Sequence, residues 1–267
     1  MEDSNSLTSF YYTPSILRST PVVTLTIAVL YIFLGYLSFL IPVDSATVCP
    51  IFLPAGLSLA STLVLGKRSL LGIWIGALYI NIFQSFGATN MFPFHSLTHL
   101  AIGFIIASGI TIAAFLSSII ITRTSRGQHP LHSGETILVL LVLGSISYTT
   151  ISSLIGTTSL ILSNIISTKD AWYTFQTWWL GDVIGIILIT PFIISWSLKD
   201  YSDKKKLKLT ELLLFGIIII LVGYVVVFQN TDLKYLLMPI LFWSVYRFGT
   251  KTTSIVIIII AIFAIKR

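Results

Sequence analysis

The sequence predicts an all-α fold, a polytopic transmembrane helix bundle of about eight to nine spans with some helices broken by proline. Three observations carry that reading. Of the 267 residues, 55% are hydrophobic and only 10% are charged. Mean hydropathy is +0.94, outside the range of soluble domains. The apolar residues form continuous runs such as I-L-V-L-L-V-L-G, not the short alternation of a membrane β-barrel. The charges gather between those runs, so the formal charge of +6 reads as a device for membrane orientation rather than a nucleic-acid surface. The single cysteine, Cys49, excludes an internal disulfide framework and cannot build a zinc site alone.

The spans follow in order. Residues 1–21 form a polar cytoplasmic N-terminal segment, and the run Val22–Ile41 is too long for a signal-peptide core. The second span, about Ala46–Leu65, holds Pro50 and Pro54 and should be irregular, because each proline removes a backbone donor. Lys67 and Arg68 make a basic turn. The third span, Leu70 to about Phe86, carries Gly72 and Gly76 as a small-residue ridge for close helix approach. The fourth is Leu97–Ile121, with His99, Gly103 and Ala107 at spacing four. Ser133 is placed to cap the fifth, and Glu135 suits its N-terminal dipole. That span reaches about Leu162 with a ridge of Gly144, Tyr148, Ser152 and Gly156. An aromatic belt leads into the sixth, where Pro191 should produce a kink. The seventh is Glu211 to about Phe228 and the eighth Tyr235–Phe248. A last apolar run, Thr252–Ile265, is short for a crossing. No convincing internal repeat is visible.

Arg18, Lys67, Arg68, Arg123, Arg126, the Lys199–Lys208 cluster, Arg247 and Lys251 all fall on one side of this topology. That side is therefore cytoplasmic, with the N-terminus. A ninth crossing would put Lys266 and Arg267 outside, so in the domain, 22–267, either the last run does not cross or the chain stops before a further helix that would bring it back.

Asp182 is the residue that stands out. It lies inside the sixth apolar run, with Trp178, Gly181 and Gly185 on its helix face, and that face is expected to be the point the other helices pack around. A carboxylate at membrane depth costs several kcal/mol, so it marks a functional site by default. Asn81, Gln84, His95, His99 and Trp178 are predicted at comparable depth in the outer half. A half-helix starting near Pro54 would aim its positive dipole end at them, giving a wet pocket open to the outside. Asp182 then holds a polar ligand or cation, relays protons, joins His95 and His99 on a metal, or is structural, bonded to Trp or Asn side chains. No Walker, Rossmann, H-E-x-x-H or G-x-S-x-G pattern occurs. No enzyme activity, cofactor or metal is expected.

The stretches I-F-L-P-A-G-L-S-L-A-S-T-L-V-L-G-K-R-S-L-L-G-I-W-I-G-A-L-Y-I-N, T-W-W-L-G-D-V-I-G-I-I-L-I-T-P-F-I-I-S-W and L-M-P-I-L-F-W-S-V-Y-R-F-G-T resemble the bacterial membrane-associated sensor domain of the first MASE type, in order and spacing over nearly the whole chain. The positions that match its motifs are Pro54, Gly56, Gly66, Arg68, Gly72, Gly76, Asn81, Trp178, Trp179, Gly181, Asp182, Gly185, Pro191, Pro239, Arg247 and Gly249. The resemblance implies a sensory input module of the bacterial cytoplasmic membrane. Its partners would be the lipid bilayer, a small-molecule or ion signal, and a cytoplasmic output, a kinase or a cyclic-di-GMP enzyme, absent from this chain. Such a module often forms a homodimer. The competing expectation is a small transporter or permease component, with Asp182 coupled to a proton or ion.

Overall fold

A computed structural model of the protein describes residues 19–40, 49, 51–83, 97–198, 209–228 and 237–265. Nearly all of them are helical. The helices are α1 Thr20–Phe39, α2 Leu53–Leu65, α3 Leu70–Phe83, α4 Leu97–Thr124, α5 Gly134–Leu138, α6 Ser145–Leu162, α7 Ala171–Ser197, α8 Leu209–Phe228 and α9 Leu237–Ile265. A π-helical turn, Val139–Gly144, joins α5 to α6. The chain divides into two units, Met1–Ser197 and Leu198–Arg267.

Among the described residues, six helical stretches are long and apolar enough to cross a membrane: Thr20–Phe39, Leu53–Phe83, Leu97–Thr124, Gly134–Leu162, Ala171–Ser197 and Pro239–Ala261. That is fewer than the eight to nine expected. Two of the six contain a reversal at a glycine, and the apolar stretch of α8, Leu213–Val225, is shorter than a span.

The first reversal separates α2 from α3. α2 starts beside the end of α1, where the Leu53 N–H donates to Ser38 Oγ at 3.0 Å. α3 then runs back alongside α1, with Gly72 against Thr24 and Ile27 and Gly76 against Ala28 and Tyr31. Gly66, at φ 65 and ψ −148, makes the turn, a conformation almost confined to glycine. The second unit repeats the device. Gly249, at φ 77 and ψ −177, interrupts α9. Ser244 Oγ and Thr253 Oγ1 meet at 2.9 Å, although their places on a straight helix are about 13 Å apart. The two arms therefore fold together around Phe215, Ile219, Ile240, Phe248 and Val256. Both reversals join two helical arms and are followed within two residues by a basic side chain, Lys67 or Lys251, a structural repeat that the sequence reading missed.

In the first unit α2 is the hub. Every residue from Pro54 to Val64 is buried, so the bundle packs around this helix and not, as expected, around the Asp182 face of α7. Pro54 does not break it. The helix begins at Leu53 and Pro54 sits in its first turn, where the missing N–H is not needed. Pro50 lies outside the described residues. α2 packs against α4 and α7, and α6 packs against both of those, so α2 and α6 face each other across a ring of four helices. α1 and α3 close a second ring against α2 and α4.

α4, α6 and α7 alternate in direction. Gly109 on α4 meets Ile155 on α6, and Gly144 meets Ile121 and Leu59. Lys67, Arg68, Arg123 and Arg126 consequently lie at one end of the unit, with Lys169 and Asp170 at the other. Ser133 caps α5 through a reciprocal capping box with Thr136, as its position predicts. α7 runs as one helix of 27 residues through Pro191. The outward faces are apolar: Leu25 is 67% exposed, Leu97 83% and Phe104 55%, as lipid contact requires. Serines and threonines are buried in quantity, a distribution that suits a solvent of hydrocarbon.

Candidate functional site

The site is built where α7 meets α2 and α6. Three small residues bring the backbones together. The Phe52 N–H donates to Gly181 O at 3.0 Å. A Cβ on Gly185 would stand 2.0 Å from Phe52 O, and one on Gly56 would stand 2.3 Å from Gly185 O. Thr190 Oγ1 donates to Gly56 O at 3.1 Å. This close crossing orients the next residue of the Trp-Trp-Leu-Gly-Asp segment into the ring.

Asp182 is 1% exposed. Ser152 on α6 donates its hydroxyl to Oδ2, and Oδ1 has no hydrogen-bond partner in the protein. Tyr31 from α1 and Tyr148 from α6, both 0% exposed, come within electrostatic reach of the carboxylate, as does Cys49 from the segment before α2. The hydroxyls of Tyr31 and Tyr148 also lack protein partners. Tyr148 lies beside Ser58 of α2 without a directed bond to it. Trp178 forms the outer wall, its ring against Gly156 of α6. Phe52 stands edge-on to Tyr31 with centroids 6.2 Å apart.

Of the residues predicted from sequence, the structure brings together Asp182, Trp178, Gly181, Gly185 and Gly56. Trp178 lines the site with its ring against Gly156. Trp179 donates Nε1–H to Thr150 Oγ1 at 3.3 Å, a second tie from α7 to α6. Asn81 is elsewhere: its Nδ2 donates to Ala77 O at 2.8 Å on its own helix. His99 lies in the first turn of α4 with its ring nitrogens buried, and Asp182 makes no bond to it. Gln84 and His95 lie outside the described residues. The physical reason for the regrouping is lateral. α3 packs on α1 and α4, whereas α7 packs on α2 and α6, so equal depth does not make Asn81 and Asp182 neighbours. Nor is Asp182 bonded to Trp or Asn side chains, as its structural reading supposed; its partner is Ser152. Arg247 pairs with Glu211 at 2.5 Å in the second unit.

Sequence reasoning missed Tyr31, Ser58 and the role of Ser152. Tyr148 and Ser152 were visible as members of the spaced ridge on the fifth span, but nothing in a row of residues shows that the ridge faces Asp182. The oxygens assembled here are hard donors. They suit water, a proton, a monovalent cation or a protonated amine better than a transition metal. Among the described residues no group of three His, Cys, Asp or Glu side chains stands together.

The MASE1 family profile matches residues 22–266. The chain belongs to the MASE1 family. No curated protein and no solved structure matches it. A MASE1 chain is a multi-pass membrane sensory module, and the ring around Asp182 is the buried polar centre of this one.

Proposed function

We propose that this MASE1 chain is the sensory input of a bacterial signalling system in the cytoplasmic membrane, reading a small polar or cationic signal at Asp182. Its output would be a cytoplasmic kinase or cyclic-di-GMP enzyme, in the same polypeptide or in a partner protein. One observation carries the reading of the site: a carboxylate that is 1% exposed, held through one oxygen by Ser152 and buried at the other without a protein partner. An uncompensated buried carboxylate is costly, so a bound species that supplies positive charge or hydrogen bonds stabilises whichever packing of α2, α6 and α7 holds it best. The gathering of Lys67, Arg68, Arg123 and Arg126 at one end supports a cytoplasmic location for that end and for the start of α1.

Asp182→Asn keeps the size of the side chain and removes its charge. In the natural protein joined to its output, the expected result is altered output activity at unchanged membrane abundance. Unchanged output would sink the sensing role. Should Asp182→Asn reduce abundance, Ser152→Ala supplies the second reading, because it removes the hydroxyl that holds the carboxylate and keeps the Asp182 side chain itself.

A further inference from the structure

Among the described residues, the longest run of buried hydroxyls around Asp182 leads toward the Gly66 end of the bundle. Toward the Ser38 end of the bundle, Trp178 closes on Gly156, and the Phe52 backbone closes on Gly181 and Gly185. Toward the Gly66 end there is a double row of hydroxyls. On α6, Ser145, Tyr148, Thr149 and Ser152 fall on one helix face, at positions i, i+3, i+4 and i+7, and are 2%, 0%, 0% and 1% exposed. On α2, Ser58, Ser61 and Thr62 repeat the i, i+3, i+4 pattern and are 0%, 2% and 4% exposed. Tyr148 beside Ser58 joins the rows. The α2 hydroxyls donate to carbonyls of their own helix and keep their lone pairs. Those of Ser145, Tyr148 and Thr149, with Tyr31 OH and Asp182 Oδ1, have no protein partner. Buried polar groups of this kind are satisfied by ordered water.

We propose that the facing sides of α2 and α6 carry a chain of water and hydroxyl groups that conducts protons between Asp182 and the end of the bundle bearing Lys67 and Arg68. A proton enters from a hydronium ion at that end and passes between hydroxyl and water oxygens. It binds Asp182 Oδ1, turning the carboxylate into a neutral carboxylic acid and leaving water behind; the reverse passage restores the charge. Among the described residues, the titratable groups within electrostatic reach of Asp182 are Tyr31 from α1, Tyr148 from α6 and Cys49 from the segment before α2. Among the described residues no lysine, arginine, histidine or second carboxylate acts on it. This gives the site a sidedness opposite to that of a pocket open to the outside. It deepens the reading of Asp182 as the sensing group and rests on it only for the claim that the proton is the signal.

The test uses the full chain in right-side-out and inside-out membrane vesicles. The carboxyl C=O stretching band of Asp182 is identified as the infrared band that Asp182→Asn removes, and pH is stepped rapidly on the outer face of each vesicle type. The band should follow a step on the face with Lys67 and Arg68 and lag behind a step on the other. The pair Ser145→Ala and Thr149→Val should slow the response about tenfold, equivalent to a barrier about 1.4 kcal/mol higher. Thr157→Val, beyond the Trp178–Gly156 contact, should leave it unchanged. A melting temperature near that of the natural chain confirms that each variant is folded. An equally fast response from the opposite face, or an unslowed response in the paired variant, overturns the route. If the route stands while Asp182→Asn leaves output unchanged, only the sensing role falls.

Discussion

The two glycine reversals put one backbone device to different uses. At Gly66 the arm that precedes the turn is α2, buried from Pro54 to Val64 and pressed against α7. At Gly249 the preceding arm is exposed over much of its length, with Phe242 at 75% and Tyr246 at 81%, and it is tied to α8 by the Arg247–Glu211 pair. The first arm carries serines and threonines along a protected face. The second carries a small aromatic and aliphatic cluster and one ion pair. A hairpin becomes a site only when its arm is enclosed, because enclosure makes an unpartnered hydroxyl or carboxylate costly and therefore responsive to what binds it.

Breaking the enclosure should have the largest effect. Gly185→Ala places a methyl group against the Phe52 carbonyl, and forcing α2 from α7 should cost about 3 kcal/mol or more. Thermal unfolding of the purified chain in detergent measures this. Gly216→Ala in the second unit meets open space and should be neutral or slightly stabilising. A small loss at Gly185 would mean that the α2–α7 crossing is not what holds the first unit together.

The turns themselves come next. At Gly66 a Cβ would meet nothing within 4 Å, so Gly66→Ala isolates backbone strain, about 1–3 kcal/mol. Gly249→Ala should cost a similar amount in the same unfolding measurement. If Gly66→Ala is free of cost, the likeness of the two turns has no energetic content.

A pH experiment probes the first unit alone. Burial pushes the His129 imidazole, in the loop between α4 and α5, down from 6.5 to about 4, with His132 adding to the effect. Between those values the unfolded chain binds the extra proton. Stability is therefore complete above pH 6.5, falls as pH drops through the window and levels below about 4. The difference in melting temperature between the natural chain and His129→Gln should follow that window, and a pH-independent difference would contradict the neutral buried imidazole.

The smallest effect is expected at Glu211→Gln. The side chains of Arg247 and Glu211 are 32% and 34% exposed, so solvent screens the pair and its loss should cost about 0.5 kcal/mol. Added salt should weaken the natural chain toward the variant. A loss of several kcal/mol would show that the second hairpin, too, depends on an enclosed polar contact.

Much of this molecule is legible along the chain because hydrocarbon imposes simple rules. Apolar runs, the Ser133 cap, the Gly72–Gly76 ridge that receives α1, and a carboxylate in the sixth run can all be read from residue order. The hub is not legible. In a membrane, residues facing lipid and residues facing protein are both apolar, so the run that becomes α2 does not announce that it is buried on every side. Tyr31 gave no signal either: a single hydroxyl in an apolar run has meaning only when its neighbour is known. The grouping of Asn81 with Asp182 failed for the same reason, since position along the membrane normal follows from counting residues and direction around it does not. The sequence by itself determined which segments are helices and that Asp182 is a costly residue to bury. Only the tertiary structure decided that Asp182 faces Ser152, Tyr31 and Tyr148, because helix order and rotation are set by close contacts such as Gly56 on Gly185 and Trp178 on Gly156.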